Sequence, residues 1–296
     1  MADNSDDMKH LFLIPLVAAF FLQPVFLQAE ILKNPAAQEL ITSASAKVKE
    51  GLWDDAEKLY LKAAESPEVG DRIEAYASLA ALYKKVKLPK KAEKAERNLR
   101  GEKELQKRLL PEDNRYYTTY KIRKGDTYGK IAGRLLISQK WLLLANNKEK
   151  LIEGRTIKVP RFRYEIEVDK RTKKLYWKRK GEVIKVYSVS VGHADTQTPQ
   201  GKFRIVNKIT DPVWYHKREV IPPGSPKNLL GPRWLGLSHK GYGIHGTKDP
   251  DGIGSAVSHG CVRMFNHDVE ELFAWIPVGT KVTIHENMAA SVKPKV

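Results

Sequence analysis

The residues most able to do chemistry lie between positions 244 and 264. This stretch holds Cys261, the only cysteine in 296 residues, with His259 two residues before it, His245 sixteen before it and Arg263 two after it. A free thiol has a pKa of about 8.5, so a nucleophilic cysteine needs a base or a positive field beside it. His245 is far enough upstream to lie on a neighbouring strand and take the thiol proton on one ring nitrogen, provided an acceptor holds the other. No carboxylate motif stands in clear reach, so a backbone carbonyl is the expected orienter. Glycines at 246, 252, 254 and 260 exclude a helix or long strand and permit close turns. The turn 258–261 can aim the amides of His259, Gly260 and Cys261 at one point, which would suit an oxyanion hole for an acyl intermediate. If the chain is extended there, Arg263 points to the same side as Cys261, and its donor fork suits a substrate carboxylate.

Other chemistries fit less well. A lone buried cysteine is usually an inert small hydrophobe. One cysteine excludes an internal disulfide, a CxxC redox pair and a multi-thiolate zinc site. His245, His259 and Cys261 match no established metal-ligand spacing, and no glycine-rich loop enters a lysine-capped helix to cradle phosphate. Neither metal nor cofactor is expected.

The elements that must position this stretch read as strands. From residue 161, apolar and polar residues alternate over 164–168 and 201–209, and two strand-like runs, 173–180 and 182–191, meet across Lys180-Gly181 as a hairpin. Prolines at 212, 222, 223, 226 and 232 mark long connections. After the cysteine, Val269, Leu272 and Phe273 predict a short helix over 268–275, followed by a strand over 279–285 and a tail over 287–296.

Residues 36–110 are rich in Ala, Leu, Lys and Glu and are broken at Gly51, Ser66-Pro67, Pro89 and Pro111, which predicts about four helices. Residues 51–58 align with 87–94 at a spacing of 36. This weak repeat resembles tetratricopeptide (TPR) repeats, whose period is ~34, though a plain helical spacer explains it equally well. Residues 117–160 read strand, turn, helix, helix, turn, strand, with Lys124-Gly125-Asp126 as the first turn and Asp126 or Thr127 as helix cap. Gly125-Asp126-Thr127, Ile131-Ala132, the Asn146-Asn147 pair and Gly154-x-x-Ile157-x-Val159-Pro160 occur in order. They resemble the LysM domain, which implies binding to N-acetylglucosamine-containing glycan; Tyr128 stands where that family usually has leucine.

The N-terminus bears on compartment. Residues 11–22 are apolar, shorter than the ~20 residues of a membrane span, and Ala29 follows. This fits a signal peptide over residues 1–29, with an uncleaved membrane anchor as the alternative. Asp3, Asp6 and Asp7 make a poor leading flank, whereas a start at Met8 would give the usual positive one. Either reading places the remainder outside the cytoplasm. The net charge of +17 suits an anionic partner such as nucleic acid, anionic lipid or wall polymer. No nucleic-acid-binding module is recognisable, so a nucleic-acid partner is not expected.

The motifs around the cysteine resolve the choice. His245-Gly246-Thr247 followed by Ser258-His259-Gly260-Cys261-Val262-Arg263-Met264 resembles the signature of the YkuD-like L,D-transpeptidases. Thr198-Pro199-x-Gly201-x-Phe203, Pro222-Pro223-Gly224 and Asn228-x-x-Gly231-x-Arg233-Trp234 match in order. The resemblance covers about residues 164–286. It implies that Cys261 is the nucleophile and His245 the general base, with Gly246 lending a carbonyl to the imidazole. Ser258, His259 and Gly260 would shape the oxyanion hole, and Arg263 would meet the donor stem. The implied reaction attacks the L-to-D bond of a peptidoglycan tetrapeptide stem, releases D-Ala and passes the acyl group to an acceptor amine. Transfer to water, an L,D-carboxypeptidase, and a non-catalytic peptidoglycan-binding scaffold are the alternatives. The expected chain is multidomain: a signal peptide or anchor (1–29), TPR-like α-helical hairpins (36–110) open to a protein partner, a small βααβ LysM domain (117–160), a mostly-β catalytic domain (164–286) and a tail. It is expected outside the cytoplasm, in the periplasm or on the wall side of the envelope, with peptidoglycan glycan strands and peptide stems as partners.

Overall fold

A computed structural model describes residues 33–216 and 219–288 of the chain. The predicted signal or anchor segment and most of the predicted tail lie outside the described residues. Among the described residues, no helix is long and apolar enough to cross a membrane.

The first half begins as two helical hairpins, α1 (Pro35–Glu50) with α2 (Trp53–Ala63), and α3 (Val69–Lys85) with α4 (Pro89–Leu109). Asn34 caps α1 by accepting from the Ala36 amide at 2.9 Å, and Pro35 occupies the first turn, where its missing N–H costs nothing. Gly51 ends α1 in the left-handed region at φ 79°, and Lys87 takes the same region at φ 57° between α3 and α4. The two aligned segments thus fall at the same place in each hairpin. Small residues, Ala44, Ala56, Ala63 and Ala75, let the helices approach closely around Tyr60, Leu79 and Tyr83 in a core of their own.

A two-stranded antiparallel pair follows, β1 (Tyr117–Lys121) with β2 (Thr156–Pro160), enclosing α5 (Tyr128–Leu135) and α6 (Gln139–Ala145). Of the two candidate caps for α5, Thr127 serves, accepting from the Lys130 amide at 3.2 Å. Asp126 instead accepts from the Arg123 amide and Tyr120 Oη, bracing the turn before it.

The second half is a curved sheet. Its strands are β3 (Tyr164–Asp169), β4 (Lys174–Arg179), β5 (Glu182–Gly192), β6 (Gly201–Thr210), β9 (Arg233–Leu237), β10 (Gly243–His245), β11 (Ala256–Ser258), β12 (Val262–Met264) and β13 (Lys281–His285), in spatial order β11-β5-β12-β10-β9-β6-β13-β3-β4. The long β5 pairs with β4 through its first half and with β12 and β11 through its second, so the sheet closes on itself. Alternation in 164–168 matches the burial of Tyr164, Ile166 and Val168 on one face. Helix α7 (Asn266–Trp275) buries Val269, Leu272 and Trp275. A separate hairpin, β7 (Trp214–His216) with β8 (Glu219–Ile221), stands off the sheet.

The parts share one core. Val69, Leu105 and Leu109 of the helical region and Trp141 and Leu142 of α6 belong to the same buried cluster as the sheet. Phe162 links Trp141 (centroids 5.9 Å) to Tyr164 (5.4 Å). A buried ion network adds to the seam: Arg72 on α3 meets Glu271 on α7 at 2.5 Å, and Glu271 also accepts from Lys185 at 2.6 Å and from Tyr187 Oη at 2.9 Å. Burial alone would raise the Glu271 pKa, but Arg72 and Lys185 outweigh it and hold the carboxylate down at about 2.

Candidate active site

Two short strands bring the candidate residues together. β10 and β12 run parallel in the register Ile244↔Val262 and His245↔Arg263, so Cys261, at the mouth of β12, sits beside the strand that ends in His245. Glycine is required here for space. A Cβ on Gly243 would lie 2.6 Å from the Trp234 ring, and one on Gly260, whose φ is +108°, would lie 2.7 Å from Tyr242.

His245 is 3% exposed, its ring stacked on Trp234 at 5.6 Å and an interplanar angle of 23°. Its Nδ1 lies 2.6 Å from the Gly246 carbonyl. A carbonyl only accepts, so Nδ1 carries the proton in the neutral ring and Nε2 is left as the basic nitrogen. Burial is the main cause of a pKa lowered to about 4; the nearby Arg263 charge acts the same way, against the Gly246 and Leu230 carbonyls. The imidazole is therefore neutral at neutral pH. Burial also pushes the Cys261 thiol up, against opposing pulls from the Gly243 amide and Arg263. The resting pair is a thiol with a neutral imidazole rather than a preformed ion pair. That state suits general-base activation at the moment of attack.

The His245 shift has a consequence for stability. The folded state binds this proton less tightly than the unfolded chain, whose histidine pKa is about 6.5. Its stabilising contribution is complete above about pH 6.5 and declines as pH falls toward 4. About 2 kcal/mol should be lost between pH 7 and pH 5, measured by urea unfolding at each pH. His245→Gln should remove this component, and equal slopes for the two proteins would contradict it.

The turn before Cys261 departs from expectation at one residue. The Gly260 amide donates to Ser258 Oγ at 3.1 Å, and that hydroxyl donates to the Cys261 carbonyl at 2.6 Å. Gly260 thus contributes backbone conformation, and its N–H is not a free oxyanion donor. Ser258 is fully buried and braces the turn, whereas His259 is exposed.

Arg263 is 9% exposed, and its Nε is buried with no hydrogen-bond partner among the described residues. Its charge acts on both Cys261 and His245. The thiol opens on a cleft of about 320 Å³ lined by Trp234, Leu230, Ile209, Trp214 and Tyr215 among others. One cleft wall is fixed by Asn228, which is 3% exposed. Its Nδ2 donates to the carbonyls of Pro212, Ile221 and Pro222 at 2.9–3.2 Å, tying both ends of the β7–β8 hairpin. The sequence placed Asn228 only within a motif; its clamping role needed the hairpin's ends to be seen together. Among the described residues, no group of three or more His, Cys, Asp or Glu side chains is arranged to hold a metal.

Comparison with known proteins assigns the domain that holds these residues. Residues 163–284 match the YkuD L,D-transpeptidase catalytic domain. Three relatives carry L,D-transpeptidase names. YkuD of Bacillus subtilis is 40% identical over 175 residues, covering 56% of this chain and 98% of that protein. YkuD of Bacillus licheniformis is 37% identical over 176 residues, 56% and 97% respectively. YqjB of Bacillus subtilis is 44% identical over 125 residues, 40% and 70% respectively. Nearly the whole length of two such relatives is thus reproduced here, and the matched domain contains both Cys261 and His245: the chain belongs to the YkuD family and is an L,D-transpeptidase.

Proposed function

We propose that the enzyme cross-links peptidoglycan through an acyl-enzyme on Cys261. The observation that carries this reading is the His245 ring, fixed through Nδ1 to the Gly246 carbonyl on the strand beside the only thiol. His245 Nε2 takes the thiol proton as Sγ attacks the carbonyl carbon of the L-to-D bond in a tetrapeptide stem. The tetrahedral oxyanion then collapses, the C–N bond breaks, and His245 returns the proton to the departing D-Ala amine. The acceptor amine attacks the thioester and gives its proton to His245; the C–S bond breaks and the thiolate is reprotonated. Stacking on Trp234 favours the transient imidazolium, because a cation over an indole face is stabilised by about 0.5–2 kcal/mol.

Arg263 is read as the seat of a donor-stem carboxylate, since its buried guanidinium has an Nε with no hydrogen-bond partner among the described residues. Arg263→Met should lower kcat/KM by roughly 10–100-fold, the loss of one charge-assisted bond. Stability should stay unchanged or rise, because an uncompensated buried charge is removed. Steady-state kinetics with parallel thermal melts read both; a destabilised variant with normal kinetics would refute the assignment.

The βααβ module is read as a LysM-type glycan site. A groove of about 580 Å³ lined by Tyr128, Asn147, Lys150, Ile152 and Arg155 supports this, with the Asn147 Oδ1 buried and without a hydrogen-bond partner among the described residues. Asn146 is committed instead to the Lys158 backbone and the Leu142 carbonyl. The helical hairpins are read as TPR-like, and the protein as exported to the wall side of the envelope. Intact-protein mass spectrometry with a tetrapeptide donor, with and without an acceptor amine, tests the reaction. The expected result is an acyl adduct lacking D-Ala that is discharged into a cross-linked product. A trimmed tripeptide alone would make the enzyme an L,D-carboxypeptidase.

A further inference from the structure

Asn266 Oδ1 accepts a hydrogen bond from the Thr247 amide at 2.9 Å. The Thr247 nitrogen and the Gly246 carbonyl belong to one peptide group, and that carbonyl takes the bond from His245 Nδ1 at 2.6 Å. Imidazole, peptide and asparagine amide therefore form one directed chain, from Nδ1–H to O=C and from N–H to Oδ1. We propose that Asn266 is a positioning residue for His245, acting through the 246–247 peptide much as a carboxylate acts directly on histidine in a triad. The proposal rests on the reading of His245 as general base.

Three observations support it. Thr247 is 3% exposed, so its N–H would be buried without this partner. Gly231 and Gly246 both clear room for the same oxygen: a Cβ at either would stand 2.7 or 2.4 Å from Asn266 Oδ1. Asn266 also opens α7, where the cap residue Phe265 makes no side-chain bond, so the helix start goes uncapped by a side chain while the Asn266 oxygen is committed across to Thr247.

The physical effect is twofold. A glycine leaves its flanking peptide planes free to rotate, and the bond at Thr247 removes that freedom. Accepting from the N–H also polarises the peptide, so its carbonyl becomes a stronger acceptor as the ring gains charge. Asn266 is not among the residues that line the cleft, so substrate affinity should not depend on it.

The test uses the full chain. Asn266→Ala should lower kcat by roughly 10–100-fold, the usual scale for an orienting partner, with KM within about twofold. It should also abolish the exchange-protected Nδ1–H proton resonance of His245. Asn266→Asp keeps an acceptor oxygen at the same place and should restore both kcat and the resonance. Unchanged kcat in Asn266→Ala, an unchanged resonance, or failure of the aspartate to rescue would each overturn the proposal. Should the wild-type protein form no acyl-enzyme, the general-base reading fails, while the resonance still decides whether Asn266 holds the ring.

Discussion

Cys261→Ala is expected to reduce turnover by about 10⁴-fold or more and to abolish every covalent adduct with donor peptide. Loss of a nucleophile in a concerted site costs on this scale, because binding and oxyanion contacts alone supply only the residual rate. The fold should survive. Cys261 is only partly buried, and its sulfur's bond to the Gly241 carbonyl is long, at 3.8 Å. The turn is braced by Ser258 rather than by the thiol. Intact mass after incubation with donor, or with a carbapenem-type β-lactam, gives a direct reading because no other cysteine exists to be modified. Normal turnover in this variant would eliminate the acyl-enzyme mechanism on Cys261.

Glu271→Ala is expected to be the most destabilising single change away from the site, by roughly 3–5 kcal/mol. The carboxylate is 1% exposed and answers two cations, Arg72 from the helical region and Lys185 from β5, plus the Tyr187 hydroxyl. Removing it leaves Arg72, itself 5% exposed, with Glu102 as its remaining carboxylate partner at the seam. The double variant Arg72→Met with Glu271→Leu should recover much of the loss, since apolar side chains of similar volume need no counter-charge. Urea midpoints of the three proteins decide it, and a loss below about 1 kcal/mol in Glu271→Ala would show that water reaches the network. The same carboxylate makes the seam acid-sensitive. Its folded pKa of about 2 lies below the ordinary value of 4.5, so its contribution is complete above pH 4.5 and declines as pH falls toward 2.

The pattern of strands and helices was legible because it is written locally. Alternation over 164–168, the Lys180-Gly181 turn and the helical spacing of Val269, Leu272 and Phe273 depend on neighbours within a few residues, and the structure follows each of them. Helix α7 begins two residues earlier than its apolar spacing suggested, and the added first turn includes Asn266, whose oxygen accepts from Thr247. The seam between the helical region and the sheet gave no sequence signal. Arg72 and Glu271 are 199 positions apart, and each reads as an ordinary charged residue on a helix.

The candidate site divides along the same line. The amino-acid sequence by itself determined the chemistry on offer: one thiol, a histidine at strand-crossing distance, an arginine two residues on and glycines where the backbone must turn. Side-chain identity sets what a residue can donate, accept or titrate, and that needs no coordinates. Only the tertiary structure decided which of those capacities are free. It engaged the Gly260 amide with Ser258, left the Arg263 Nε unpartnered, drove His245 to the neutral form by burial, and brought the Asn266 oxygen to the peptide that holds the ring. Burial and partnering depend on strands and helices far apart in the chain meeting in one place, and no local pattern encodes them.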